Sequence, residues 1–461
     1  DYIIGGPKMA GQGWRMLVEC LSVGRAITLP SNSTGGIKAV ALATGAYARI
    51  RRQFKLPIGK MEGVEEAMAR IGGYAYMADA STTMSVGSID LGEKPSVISA
   101  ITKYHMTERM RQAVIDAMDV HGGKGICMGP NNYLARGYQG APVAITVEGA
   151  NILTRNMIIY GQGAIRCHPY VLAELQAAQL DDQGAAVTAF DKALFGHIGF
   201  AISNFFRTFW LSLTGGAFSS APYGDATAKY YKQMNRFSAA LALMSDVAMG
   251  TLGGDLKRKE MLSARLGDVL SHLYIASAVL KFYEDNGRQV ADLPFVHYSV
   301  QRNLYEIGRA FAGFFSNFPN GLVGGLLKTL VFPFGIGYQM PDDEVSMQIS
   351  DALLKPSVIR DRLTHLCYLG ESKDDPTGSM EKAFHAVHNA QPLMKKIFAA
   401  QKEGKIARKL PLQLTIAKAL ELQVLTDSEA KQLDEMNALR FDAISVDSFK
   451  PGELEGMALK G

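Results

Sequence analysis

Apolar residues recur three and four positions apart along nearly the whole chain, the spacing of amphipathic helices. Tyr104, Met106, Met110, Val114 and Met118 are read on one such face, between the region of Pro95 and a stop at His121-Gly122-Gly123. Leu17, Leu21 and Ile27 behave similarly up to Pro30, which is expected to break that helix because proline lacks the N–H that the next turn needs. Residues 227–250, 259–284 and 381–400 read as further helices rich in Ala, Leu and Met. The nearest approach to strand alternation is the short run Val143-Ala144-Ile145-Thr146-Val147. The pattern predicts a mainly α fold. No fixed-period repeat is visible, which argues against a solenoid. A polar break at Gln179-Leu180-Asp181-Asp182-Gln183-Gly184 divides the chain into 1–178 and 185–450.

Two stretches of the second half carry unusually few charges. Residues 190–213 place Phe190, Leu194, Ile198, Ile202, Phe205, Phe209 and Leu213 at helical spacing, interrupted mainly by His197 and Arg207. Residues 310–327 have no charge at all, but Asn317, Pro319 and several glycines would break a spanning helix there. A buried helix with a packed loop is one reading. The other is a monotopic patch touching lipid, with Phe314 and Phe315 among its contacts.

Composition narrows the class. Of 461 residues, 48% are hydrophobic and 20% charged, enough for a large core and unlike a disordered chain. Lys and Arg number 48 against 44 Asp and Glu, a net charge of +4, too mild to suggest nucleic acid. Four scattered cysteines, without a CxxC pair, point to a reducing interior, hence a cytoplasmic placement, rather than to disulfides or zinc. The nine histidines show no HExxH-like spacing, and neither a Gly-x-Ser-x-Gly elbow nor a P-loop occurs. No metal site is expected. The chain opens at Asp1 with no signal-peptide pattern and reads as a piece of something longer.

Four places could carry chemistry, each with an ordinary structural alternative. In Thr146-Val147-Glu148-Gly149-Ala150-Asn151, Glu148 is either a helix cap or a general base, with Gly149 leaving room for a flat ligand. An apolar surround would raise its pKa into a range useful for carbon-acid chemistry. Arg49, Arg51 and Arg52 at a helix end are either a solvated basic terminus or pyrophosphate ligands, with Gln53 and Phe54 beside them. His121-Gly122-Gly123-Lys124-Gly125 is a helix stop or a place of close backbone approach to a ligand. Arg25 puts a cation inside an apolar helix, to pair with an acid or to position one.

Leu21 with Arg25, Arg51 with Phe54, the Gly122-Gly123-Lys124-Gly125 turn and Val147-Glu148-Gly149-Ala150 follow one another in the order seen in the C-terminal helical domain of acyl-CoA dehydrogenases, which this region resembles. The remainder resembles the additional helical region of the large bacterial fatty acyl-CoA dehydrogenases of the FadE type, in wording such as Leu256-Lys257-Arg258-Lys259-Glu260-Met261-Leu262. The resemblance implies a C-terminal helical bundle followed by an additional all-helical domain, with the family's N-terminal helical and middle β-domains absent from this chain.

It further implies FAD-dependent α,β-dehydrogenation of a medium- or long-chain fatty acyl-CoA to the trans-2-enoyl-CoA, the first step of β-oxidation. Glu148 would be the base and Arg25 its orienting partner. Arg51, Gln53, Phe54, Gly122 and Gly123 would contact FAD, and Leu21 and Gly149 the substrate. A homo-oligomer and an electron-transfer flavoprotein as electron acceptor follow by the same resemblance, while peripheral contact with the inner membrane is expected from the apolar stretches of the second half alone. Lys55 stands where the family usually has Gly, Val147 and Ala150 where it has Tyr and Thr, and Asp119 where it often has Gln. The alternative function is a non-catalytic helical module for dimerisation or membrane attachment.

Overall fold

The computed structural model describes residues 3–372 and 375–453. The side chain of Leu17 lies outside the described residues. Among the described residues the elements are helical apart from one short hairpin: mostly α, with a π-helical segment at Thr154–Ile159 and short 3-10 turns between helices. In order they are α1 (Gly13–Ile50), the strands β1 (Arg52–Gln53) and β2 (Leu56–Pro57), α2 (Glu62–Asp90), α3 (Ser96–His121), α4 (Gly123–Ile126), α5 (Ala135–Thr146), α6 (Asn151–Leu153), α7 (Tyr160–Arg166) and α8 (Val171–Ala177). There follow α9 (Gln183–Leu213), α10 (Ala228–Leu252), α11 (Glu260–Asp285), α12 (Leu293–Ser316), α13 (Gly321–Val331), α14 (Asp343–Leu353), α15 (Val358–Leu363), α16 (Pro376–Asn389), α17 (Gln391–Lys402), α18 (Leu412–Glu421) and α19 (Asp427–Ile444).

Two compact units interleave along the chain. The first comprises Asp1–Thr34, Tyr76–Glu108 and Val143–Asp342, the second Gly35–Ala75, Arg109–Pro142 and Asp343–Gly461. In the first unit α11 lies along α12, while α10 packs on α9 and α11. Ile275, Val279, Phe295, Phe311 and Phe314 are wholly buried there. In the second unit α16 packs on α19. Gly45 of α1 lets Leu353 approach, since a Cβ there would meet the Leu353 carbonyl oxygen at 2.7 Å.

Several expectations are corrected. Pro30 does not break α1, which runs through it. The lost backbone bond is outweighed where flanking positions Ala26, Ser33 and Ile37 are fully buried. Val143–Thr146 is the last turn of α5 rather than a strand, because Val143 and Thr146 fit a helix end closed by the Thr146 hydroxyl donating to the Val143 carbonyl at 2.8 Å. The stretch 381–400 is two helices, broken where Pro392 can only enter a new first turn. Residues 310–327 form the end of α12, a short loop and then α13, with Asn320 capping α13 through its side-chain oxygen. Phe314 and Phe315 are core residues, 0% and 3% exposed, so they present nothing to lipid.

Candidate active site

Glu148 stands on a turn between two helices. After α5 the chain takes φ 54° at Glu148 and 94° at Gly149, then enters α6 from an extended Ala150. A positive φ is uncommon at a residue with a Cβ, so the neighbours must hold it. They do so through the next carbonyl: Lys103 Nζ donates to Gly149 O at 2.7 Å and the Thr154 hydroxyl donates to the same oxygen at 3.1 Å. Gly149 is required for its φ and for space, because a Cβ there would sit 3.3 Å from Thr154 Oγ1 and 3.8 Å from Arg25 Nη1.

The carboxylate meets one face of α1. The Thr28 hydroxyl lies 3.0 and 3.2 Å from the two Glu148 oxygens and 2.8 Å from the Gly24 carbonyl, so its single proton is shared among acceptors. Arg25, three residues earlier and therefore on the same face, is buried. Its Nη2 donates to Ser99 Oγ at 3.3 Å, and its Nε is buried without a partner. Burial lowers the Arg25 pKa and the nearby Glu148 charge opposes that shift. The expected apolar surround of Glu148 is thus corrected. The carboxylate is half-buried beside a hydroxyl and within the field of two cations, Arg25 and Lys103. Leu21, one turn before Arg25, is partly exposed.

The other predicted residues gather in the second unit. α1 ends at Ile50, and β1 pairs antiparallel with β2 across a two-residue turn, Phe54-Lys55, with φ 49° and 69°. Such a hairpin favours glycine where φ is positive, so Lys55 here carries strain that a glycine would not. Phe54, at the tip, is 90% exposed. Arg51 and Gln53 line a cavity of about 620 Å³ together with Asp119, Gly122, Gly123 and Lys124, but Phe54 is not among its lining residues. Gly122 has φ 55° just after the last residue of α3, and a Cβ on Gly122 or Gly123 would meet nothing within 4 Å. The protein itself leaves that space open.

Behind this turn, Tyr47 stacks on His121 with ring centroids 4.2 Å apart. Burial pushes the His121 pKa down to about 3, so the ring is neutral, with Nδ1 donating to the Ala117 carbonyl at 2.7 Å and Nε2 accepting from Tyr133. Among the described residues Arg49, Arg51 and Arg52 have no carboxylate partner, and Arg49 Nε is buried unpaired. Arg440 of α19 joins them: its pKa is lowered by burial and then by Arg52 and Arg51.

One cluster was invisible in the sequence. Atoms of His168, His197 and Asp246 lie within 4.8 Å of one another. Proton accounting argues against a cation between them. His168 Nδ1 accepts from the backbone N–H groups of Tyr170 and Val171, both at 3.2 Å, so the ring's proton sits on Nε2 and faces Asp246 at 2.9 Å. No lone pair remains there for a metal. His197 reaches Glu174 at 2.8 Å and Asp246 at 3.2 Å. Although burial works against its charged form, these carboxylates raise its pKa, so it serves as an ionic clamp joining α8, α9 and α10.

The sequence matches the family profile "Acyl-CoA dehydrogenase, C-terminal, bacterial type" over residues 165–449 and "Acyl-CoA dehydrogenase, C-terminal domain" over residues 11–162. The chain belongs to the acyl-CoA dehydrogenase family. The helical fold agrees: an acyl-CoA dehydrogenase from Bacillus anthracis complexed with FAD superposes with TM-score 0.57 at 17% identity, over 72% of this chain and 56% of that one. A 3-(aryl)acrylate reductase of Clostridium sporogenes is 30% identical over 25% of this chain and 30% of its own length. A probable acyl-CoA dehydrogenase of Bacillus subtilis is 24% identical over 32% of this chain and 28% of its own length. Protein HemX of Proteus mirabilis is 87% identical over 46 residues, 10% of this chain and 27% of that protein, too short a match to carry a function. The chain therefore spans well under half the length of these curated relatives.

Proposed function

We propose that this acyl-CoA dehydrogenase chain takes part in FAD-dependent α,β-dehydrogenation of medium- or long-chain fatty acyl-CoA to the trans-2-enoyl-CoA, with Glu148 as the base. The observation that carries the reading is the Glu148 carboxylate, half-buried on a hydrogen-bonded turn, met by the Thr28 hydroxyl and within the field of Arg25 and Lys103. A thioester α-proton is weakly acidic, and its removal needs a carboxylate held ionised and aimed. Arg25 and Lys103 would contribute positive field at the carboxylate, and the Thr28 contact would fix the direction in which its oxygens point. The Glu148 backbone N–H, on the same turn, would donate to the thioester oxygen, where negative charge gathers as the proton leaves. Partly exposed Leu21, with Gly149, would border the acyl chain.

The second unit fits the cofactor that the family uses. Guanidinium groups lacking carboxylate partners, a buried unpaired Arg49 Nε and a cavity floored by side-chain-free Gly122 and Gly123 suit a dinucleotide pyrophosphate. Arg51 and Gln53 would hold it, and exposed Phe54 would pack against a ring outside the cavity. When bound, FAD supplies the acceptor for the β-hydride. We further propose an electron-transfer flavoprotein as the oxidant of the reduced protein, a homo-oligomer, and a cytoplasmic location. The division near residues 179–184 would then separate the base-bearing region from the additional helical domain.

A second reading applies to the rest of the chain, and α9 favours it. This helix is inside out: Asn204, Thr208 and Ser212 are buried, while Phe195 is 71% and Trp210 54% exposed, with Phe205, Phe206 and Phe209 beside them. Polar atoms of those three buried residues lack partners. An aromatic outer face with Arg207 suits the interfacial region of the inner membrane.

The dehydrogenase reading is tested by anaerobic bleaching of the flavin absorbance with acyl-CoAs of increasing length. Bleaching that is strongest with medium or long chains, and flavin that is lost on Arg51→Ala, are expected. A protein that takes up FAD but is not reduced by any acyl-CoA would overturn the assignment.

A further inference from the structure

We infer that Lys103 is a positioning residue for the base: its buried ammonium clamps the Glu148-Gly149 turn and so fixes where the carboxylate points. The inference rests on the reading of Glu148 as the base. Lys103 lies on α3 and is 0% exposed, a rare setting for a lysine. Its Nζ donates at 2.7 Å to the Gly149 carbonyl and at 2.6 Å to Asn151 Oδ1, the residues on either side of Ala150. Asn151 in turn donates through Nδ2 to Thr107 Oγ1 at 3.0 Å and Glu108 Oε1 at 2.8 Å. Thr107 is one turn beyond Lys103 on α3 and donates to the Lys103 carbonyl at 2.8 Å. A single helix face therefore grips the turn at three points. Without the clamp, Glu148 at φ 54° and Gly149 at φ 94° have Thr154 as the remaining side-chain donor to that carbonyl.

The charge on Lys103 has a second consequence. Burial first, then Arg25 from α1, lowers its pKa to about 8, while Glu148 on the turn and Glu108 on its own helix oppose the shift. Protonated, it presents a full cation to the Gly149 carbonyl and contributes positive field at the base. Deprotonated, it keeps weaker neutral donors. Activity that needs the aimed, charged clamp should therefore fall as pH rises through about 8.

The test compares Lys103→Met, Lys103→Arg and Glu148→Gln in the FAD-loaded protein, with backbone amide exchange followed in the flavin-free protein. Lys103→Met should speed exchange at Glu148, Gly149 and Ala150 by roughly tenfold. It should also lower kcat by roughly 10- to 100-fold with KM little changed, the cost of a misaimed group. Lys103→Arg should restore much of the rate and move the alkaline limb of the pH profile upward. If Glu148→Gln abolishes turnover while Lys103→Met leaves turn exchange, kcat and the alkaline limb as in the parent, the clamp is refuted and the base stands. If Glu148→Gln retains turnover, the base reading fails instead. Should Lys103→Met not fold, an alkaline limb that Lys103→Arg does not shift refutes the clamp equally.

Discussion

Replacing Gly149 by Ala should destabilise the first unit by about 1.5–3.5 kcal/mol, and the same change at Gly24 should not. At Gly149 the backbone has φ 94°, where an L side chain costs about 1–2 kcal/mol. The added Cβ would stand 3.3 Å from Thr154 Oγ1, forcing back the hydroxyl that donates to Gly149 O at 3.1 Å. Losing that bond adds about 0.5–1.5 kcal/mol. Gly24 is helical, exposed and has nothing within 4 Å of a Cβ, so Ala there should stabilise α1 by about 0.5–1 kcal/mol. Urea unfolding followed by circular dichroism measures both. Equal effects, or a neutral Gly149→Ala, would refute the argument that this turn is held in a conformation only glycine adopts without strain.

Three further outcomes follow from other parts of the structure. Arg360 and Glu381 form a buried two-pronged pair at 2.6 and 2.7 Å, with the guanidinium 4.2 Å over Phe384, so Glu381→Gln should cost about 3–5 kcal/mol in urea unfolding, and a loss under about 1 kcal/mol would contradict it. The raised pKa of His197 means that its contribution to stability is full below its unfolded value of 6.5 and is lost as pH rises through the folded one. The Tm gap between parent and His197→Asn should thus be wider near about pH 5.5 than about pH 9, and a pH-independent gap would count against the ionic clamp. Phe206→Ser with Trp210→Ser should reduce co-sedimentation with phosphatidylglycerol vesicles, and undiminished binding by the double variant would remove α9 as the contact.

The helical class and the motif residues were legible because both are local. Helical spacing marks α3, α9, α10 and α11 directly, and glycine after His121 marks the end of α3. What was not legible depended on contacts far apart in sequence. Pro30 is tolerated because burial around it outweighs one lost bond, and no local rule reports burial. Lys103 reads as an ordinary helix lysine until the chain returns at Gly149 and Asn151. The surround of Glu148 was expected to be apolar from its flanking residues, yet α1 and α3 bring Thr28, Arg25 and Lys103 to it. His168, His197 and Asp246 are separated by dozens of residues, so no spacing rule could join them. Phe314 and Phe315 looked available for lipid, but the opposite is true of them, while α9 carries the exposed aromatics.

The rate of α-proton removal in Glu148→Gln bears most directly on the central claim. It is measured as solvent-deuterium exchange at the α-carbon of a bound acyl-CoA, alongside flavin content. The account predicts unchanged flavin content and an exchange rate lowered by about 10²- to 10⁴-fold, the usual contribution of a general base. Exchange within about tenfold of the parent, with flavin still bound, would show that another group takes the proton.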